Sequence, residues 1–572
     1  MIKKRILKLK KLIIKYNLDG YIVPKNDYYF SEFSSPNRLK AITNFSGSAG
    51  FAIVFVKENF LFVDGRYSTQ ANIECGKKFK IIEIPNQFQK KFLKMKRNKL
   101  VLGFDPKLFT SFFLEKSFGK KFILRPINKN LVDEVVKNKE RIIKTQFYNL
   151  SEKITGESIK NKINKLIKLL KKQKIDNIFI SAPENVAWLL NLRGKDNPNS
   201  PIPNCQLILD KKKQLYFFSN SKKINLIKKN KQYKNLQFIK NKNFKNIVQN
   251  LKGKNFCIDK LTCSIFNQSI IQSFFNIKSA NDPCYYMKSI KNKSEISHMI
   301  NSHISDGVAL TKFIYWIKKL NKKKITEITA QKKLENFRKL NKNYLYPSFD
   351  TIAGTGSNGA IIHYRANKKT NKIIKKNHIF LCDSGGQYKY GTTDVTRTIC
   401  FSNPNKDIKD KYTKVLKSHI SVVLTNLKKY NTGMMIDIRA RKFLKKDGLD
   451  YAHGTGHGVG FFLNVHEGPQ AISKYNSVKL KEGMILSNEP GYYKKNKYGI
   501  RIENLIYIKK EKRELKFENL TLAPLEKDLI EFQQLSKEEK DYLFNYHLMV
   551  YSKLSSFLKK NEKKWLSSFL SF

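Results

Sequence analysis

At 572 residues the chain is long enough for three or four domains, each able to bury its own core. Its formal charge is +65, but the lysines run through every segment beside many Asn, Ile, Phe and Tyr and only three Trp. That spread reads as the compositional bias of an AT-rich genome, with lysine pairs on solvated faces. It therefore gives no ground for a nucleic-acid or membrane partner, although such a charge could bind either by counterion release.

No run approaches the ~20 uncharged apolar residues of a membrane-spanning helix. The N-terminal MIKKRILKLKKLIIKYNLDG has lysines throughout, where a secretory signal needs an uninterrupted apolar stretch, so a cytoplasmic location is expected. Seven cysteines (Cys75, Cys205, Cys257, Cys263, Cys284, Cys382, Cys400) are scattered, odd in number and free of CxxC. Buried, reduced thiols are expected rather than a disulfide framework or a cysteine metal knuckle.

In chain order, Ile6, Leu9, Ile13 and Tyr16 share one face of an opening helix, and a strand follows over Gly20 to Val23. The pattern recurs: Ile163, Leu166, Ile167 and Leu170 mark a helix face, and Ile175 to Ser181 a strand. LDGYIVP and IDNIFISAP are alike enough to predict a duplicated α/β domain. Between them, Arg38 to Ala71 reads as a Gly/Ser turn and two strands joined at Lys57 to Asn59. Its GSAG lacks the Lys-Ser/Thr helix start of a phosphate loop. The first 297 residues contain no histidine, whereas all nine lie between His298 and His547, so imidazole chemistry belongs to the second half.

That half opens near MKSIKNKSEI (Met287 to Ile296), with helices predicted over Ser294 to Ile317 and Thr326 to Leu340. In Tyr346 to Ala366, Gly354, Gly356 and Gly359 formally satisfy GxGxxG. The stretch after them, AIIHY, reads as a strand where a dinucleotide fold needs a helix, so a tight turn is expected and no organic cofactor. Asp383 then closes an apolar run and Asp394, eleven residues on, opens a β-branched one, with glycines between: an antiparallel hairpin. Facing carboxylates repel unless cations neutralise them. His457 in HGTGHGVG, Glu489 in SNEPGYY and Glu503 in GIRIENL complete four carboxylates and one imidazole. This set points to two divalent metal ions, and its oxygen-rich, thiolate-free character suits Mn²⁺.

The glycines of HGTGHGVG are expected to let the backbone approach a ligand. Arg501, two residues before Glu503, would share its strand face and either orient a ligand carboxylate or form a buried ion pair. Ser536 and Glu539 form a capping box that starts a C-terminal helix.

These residues resemble the pita-bread metallopeptidases, and within them the Xaa-Pro aminopeptidases (aminopeptidase P) of three-domain type. FVDGRY (Phe62 to Tyr67), NVAWLLNLRGKDNPNSPIPNC (Asn185 to Cys205) and FENLTLAPLE (Phe517 to Glu526) extend the likeness over nearly the whole chain. One departure is Glu184-Asn185, where Leu-Asp is usual before Ala-Trp. The resemblance implies an α/β (α+β) chain: creatinase-like domains over 1–153 and 154–288, a pita-bread catalytic domain over 289–512, and a C-terminal helical segment over 513–572.

It further implies that Asp383 binds one metal, Asp394 and Glu503 bridge both, and His457 and Glu489 hold the other. His363, His453 and His466 would surround the scissile peptide, binding its carbonyl or moving protons. The implied reaction releases the N-terminal residue from peptides with proline second, through a hydroxide held between the metals, with Glu489 as base. A homodimer is implied as well. A prolidase would share the ligands but carries one N-terminal domain, and a non-catalytic pita-bread binding module would have lost ligands.

Overall fold

The computed structural model describes residues 1–32, 36–85, 87–94, 99–119, 121–136, 145–319 and 324–571. Two compact units emerge, one of residues 1–152 and 157–285, the other of 153–156 and 286–572.

In the first unit, helix α1 (Ile2–Lys15) buries Ile6, Leu9 and Ile13, while Tyr16 caps its end. It covers a six-stranded sheet built from β1 (Gly20–Pro24), β2 (Phe51–Phe55), β3 (Asn59–Asp64), β4 (Lys80–Ile84), β5 (Leu100–Phe104) and β6 (Phe122–Pro126), in the order β4-β3-β2-β1-β5-β6. Both faces of β1 and β2 are buried, which explains their unbroken apolar runs.

The second half of the unit repeats this plan. Helix α2 (Ile159–Lys172) buries Ile163, Leu166, Ile167 and Leu170. Strands β7 (Asn177–Ile180), β8 (Cys205–Asp210), β9 (Leu215–Ser219), β10 (Leu236–Lys240), β11 (Asn255–Asp259) and β12 (Asn276–Ala280) lie in the order β10-β9-β8-β7-β11-β12. Position for position this is the order of the first sheet, so the duplication read from two short segments extends over both domains.

The second unit opens with α3 (Lys293–Lys318), started by a capping box between Asn292 and Glu295, and α4 (Glu327–Lys339), capped by Thr326. A three-stranded sheet follows, β13 (Ile352–Thr355), β14 (Phe380–Ser384) and β15 (Val395–Ile399), with β14 in the middle. Helices α5 (Lys406–Val423) and α6 (Gly433–Lys445) come next. A five-stranded sheet is ordered β17-β16-β18-β21-β22, from β16 (Gly456–Gly458), β17 (Glu467–Ile472), β18 (Ile485–Asn488), β21 (Asn504–Glu511) and β22 (Glu514–Asn519). The pair β19 (Gly491–Lys494) and β20 (Tyr498–Arg501) stands apart from it.

Helices α7 (Lys537–Leu554) and α8 (Lys560–Leu570) end the chain. The Ser536–Glu539 capping box that starts α7 is present, and Leu543, Tyr546, Val550 and Leu554 pack into one core with α5.

One expected strand is absent. Gly356–Ala360 forms a 3₁₀ turn and the chain turns again through His363 instead of extending. The cause is Glu327 on α4, which accepts hydrogen bonds from Asn358 Nδ2 (2.9 Å) and Tyr364 Oη (2.8 Å) and so draws together the turn before AIIHY and its last residue.

Candidate metal centre

The hairpin forms as expected: β14 and β15 pair antiparallel, with Asp383 opposite Thr396 and Ser384 opposite Val395. Asp394 stands immediately before β15. His457 is the centre of β16, Glu489 follows β18, and Glu503 occupies the break between β20 and β21. Five candidate ligands thus come from five chain segments at strand ends or on a three-residue strand, where backbone pairing fixes each Cα.

Ligand atoms of Asp394, His457 and Glu503 lie within 4.8 Å of one another. His457 Nε2 is 3.5 Å from Asp394 Oδ2 and 3.5 Å from Glu489 Oε1. Its Nδ1 lies 2.9 Å from Gly458 O, and because a carbonyl can only accept, Nδ1 carries the proton and Nε2 faces the carboxylates. Burial opposes charge on this ring, but Asp394 and Glu489 outweigh it and push the imidazole up to about 9. A divalent cation would take that proton's place.

Burial likewise raises Glu503, with Asp394, Glu489 and Asp383 adding repulsion, and it raises Glu489 despite His457 and Arg501. Asp383 is pushed up by burial against the pull of Arg501, and its buried Oδ1 has no hydrogen-bond partner among the described residues. An unpartnered oxygen, an aimed imidazole lone pair and a surplus of buried carboxylates together fit hard divalent cations.

Arg501 forms the buried ion pair of its two possible roles. Its Nη2 donates to Asp383 Oδ2 (2.6 Å), Nη1 to Tyr493 Oη (2.6 Å) and Nε to Thr396 Oγ1 (3.1 Å). The expected reason was different: Arg501 ends β20 while Glu503 lies in the break beyond, so no strand face is shared.

Tyr493 is a functional residue that sequence reasoning missed. Its hydroxyl accepts from Arg501 and lies 2.8 Å from His453 Nε2, while His453 Nδ1 is 2.7 Å from Gly454 O. With Nδ1–H committed to a carbonyl, Tyr493 donates to Nε2, giving a relay Arg501 to Tyr493 to His453. Thr396 and His419 were missed too. Thr396 Oγ1 donates to Glu503 Oε2 (2.7 Å). Buried His419, pushed down to about 3 by burial, lies 3.1 Å from Asn488 O, and Asn488 Nδ2 donates back to His419 O (2.9 Å), fixing the chain just before Glu489. A histidine inside an apolar helix face, one of only nine, was the available signal for His419.

His466 is exposed, its ring 4.3 Å from that of His457. His363 follows Ile362, whose carbonyl accepts from Arg501 Nη2 (3.4 Å). The glycines beside His457 serve packing: a Cβ on Gly456 would lie 1.9 Å from Ser487 O, and one on Gly458 2.5 Å from Glu467 O. Neighbouring strands crowd these two positions, whereas a Cβ on Gly454 would meet nothing nearer than 3.4 Å.

Comparison with known proteins identifies the lineage. The model of metallopeptidase family M24 matches residues 297–510, that of its C-terminal region 513–568, and two models of the creatinase/prolidase N-terminal domain match at 5–123 and 138–295. A probable Xaa-Pro aminopeptidase P of Coprinopsis cinerea is 35% identical over 98% of this chain and 97% of its own length. The chain belongs to the aminopeptidase P group of metallopeptidase family M24. Within this group, Xaa-Pro aminopeptidase 1 of Dictyostelium discoideum is 36% identical over 89% of the chain and 85% of its own. The X-prolyl aminopeptidase of Caenorhabditis elegans, described as a cytosolic enzyme with a di-nuclear active site, superposes with a TM-score of 0.94 at 30% identity, covering 100% and 99% of the two chains. A Pyrococcus furiosus prolidase covers only 62% of this aminopeptidase P chain, at a TM-score of 0.50 and 27% identity. The chain is a metallopeptidase, with two creatinase-type domains ahead of a pita-bread domain.

Proposed function

We propose that this enzyme is an Xaa-Pro aminopeptidase that releases the first residue of peptides whose second residue is proline. The observation that carries this reading is the convergence of Asp394, His457 and Glu503 within 4.8 Å, in a chain collinear with aminopeptidases P over 98% of its length. Asp383 would hold one divalent ion, His457 and Glu489 the other, with Asp394 and Glu503 shared. Mn²⁺ suits a set of four carboxylates and one imidazole.

Such ions supply Lewis acidity, polarising a peptide carbonyl and acidifying water. Glu489, 19% exposed at its side chain, is the carboxylate best placed to take a proton from attacking water. It would pass that proton to the leaving proline nitrogen, which as a tertiary amide has no hydrogen of its own. His466 is exposed beside His457 and is the better candidate to donate to the developing oxyanion. Both nitrogens of His453 are engaged by Gly454 and Tyr493, so His453 would act by joining the substrate to the Arg501 relay. His363 would line the peptide's approach.

We place the domain boundaries at 1–153, 154–288, 289–512 and 513–572; each range holds most of one family match, while the match at 138–295 runs past both ends of its range. A cytoplasmic homodimer fits two observations. Among the described residues no helix is long and apolar enough to cross a membrane, and α7 leaves Phe544 and Leu548 60% and 55% exposed for a second copy to cover.

The test is hydrolysis of Arg-Pro-Pro, Arg-Ala-Ala and the dipeptide Arg-Pro by metal-stripped enzyme reloaded with Mn²⁺. Cleavage of Arg-Pro-Pro alone is expected. Cleavage of Arg-Pro alone would make the enzyme a prolidase, and no hydrolysis with any divalent ion would leave a binding module.

A further inference from the structure

Arg397, one residue beyond Thr396 on β15, is 2% exposed and uses its whole guanidinium. Nη1 donates to Thr396 O (2.9 Å) and Glu503 O (2.8 Å), and Nε to Pro524 O (2.9 Å). Nη2 reaches Asn504 Oδ1 (2.8 Å), Ala523 O (2.9 Å) and Tyr546 Oη (3.0 Å). Among the described residues these acceptors are all neutral. A guanidinium is a rigid planar fork, so six acceptors around it fix one another's positions. Apart from Thr396 O on Arg397's own strand, they belong to two places: the turn that carries Glu503, and the C-terminal segment of Ala523, Pro524 and helix α7.

Tyr546 is where the second group is pinned. Its hydroxyl accepts from Arg397 and from Ala523 N (3.2 Å), and Thr521 O and Ala523 O lie 3.1 and 3.0 Å away as acceptors for its proton. A parallel route leads from Asn504 Nδ2 to Asn519 Oδ1 (2.9 Å), and from Asn519 Nδ2 to Tyr542 Oη (3.0 Å) on the same helix. The C-terminal segment therefore meets the Glu503 turn through hydroxyls at fixed positions on α7, not through apolar packing alone.

We infer that Tyr546 is a positioning residue for the metal centre: through Arg397 it sets where Glu503 sits, which makes helix α7 a support of the active site. The inference rests on the metallopeptidase reading of Glu503. It assigns the segment beyond residue 512 a part in catalysis without contact with substrate.

Tyr546→Phe removes the hydroxyl and keeps the ring. Tyr412→Phe is the control, because the Tyr412 hydroxyl also holds this segment, at Glu526 N (3.2 Å), but not through Arg397. Metal-stripped wild type and variants are titrated with Mn²⁺ by calorimetry, melted, and assayed on Arg-Pro-Pro. For Tyr546→Phe, Mn²⁺ binding weaker by about tenfold at both sites, since Glu503 is shared between them, and a similarly lower kcat are expected, the low end for an outer-shell partner, with KM nearly unchanged. Tyr412→Phe should lower Tm alone. Wild-type Mn²⁺ affinity and kcat in Tyr546→Phe, or an equal loss in Tyr412→Phe, would overturn the inference. Should Tyr546→Phe not fold, Tyr542→Phe breaks the parallel route: a smaller loss of the same kind supports the coupling and no change refutes it. A wild-type enzyme that hydrolyses Arg-Pro-Pro and binds Mn²⁺ separates these outcomes from failure of the proposed function, since one that takes up no Mn²⁺ removes both.

Discussion

The hydroxyl of Thr396 sits between a cation and an anion, accepting from Arg501 Nε at 3.1 Å and donating to Glu503 Oε2 at 2.7 Å. Thr396→Val keeps the shape and deletes both bonds, leaving a buried guanidinium N–H and a carboxylate oxygen each short of a partner. Mn²⁺ affinity is expected to fall by about 10- to 100-fold, the range for lost outer-shell partners, with stability lower by about 1–3 kcal/mol. Calorimetric titration and urea unfolding measure the two effects; an unchanged affinity would mean that Glu503 is held by other bonds. The five candidate ligands could be singled out because Asp383, Asp394, His457, Glu489 and Glu503 are ionisable residues in apolar or glycine-marked stretches. Thr396 was not, since a threonine in a β-branched run looks like any strand residue and its partner is 107 positions away. Tyr493 was hidden in the same way, as one of two adjacent tyrosines distinguished only by the Arg501 beside it in space.

Helix α7 carries a pH-sensitive contact. His547 Nδ1 is 3.2 Å from Leu570 O on α8, and Nε2 accepts from Leu525 N at 3.4 Å, a pair of bonds that only the neutral ring can make. Burial pushes this imidazole down to about 4 from its ordinary 6.5. Between those values the unfolded chain binds a proton that the folded chain does not, so stability is full above pH 6.5 and falls as pH drops toward 4, by about 3 kcal/mol at the bottom. His547→Gln should flatten that part of the stability curve while lowering its plateau at pH 7.5; urea midpoints measured across the window give the answer, and an unaltered slope would place the titration elsewhere. Elements of this kind were readable from apolar periodicity, as in α1 and α2, or from a capping box, as in α7. The turn from Gly356 to His363 was not, because apolar spacing cannot show that Glu327 will gather Asn358 and Tyr364.

On the scale of the whole molecule, a formal charge of +65 means that the folded chain compresses an excess of like charge. Raising NaCl from about 20 mM to about 300 mM screens that repulsion, and Tm is expected to rise. A falling Tm would show that exposed ion pairs such as Lys80–Glu58 outweigh it. The repeated strand order of the two N-terminal sheets was legible only as two similar helix-strand segments. The remaining strands of each sheet share position but little sequence, because a pleated apolar strand can be written in many ways.

All seven thiols are buried, five in the first unit and two in the second, at Cys382 and Cys400. A thiol reagent in solution can therefore reach none of them until the surrounding structure opens. Each cysteine is then a clock for its own neighbourhood, and site-resolved labelling would record, without any introduced probe, whether the sheets of the first unit or the hairpin of Asp383 and Asp394 lets go first.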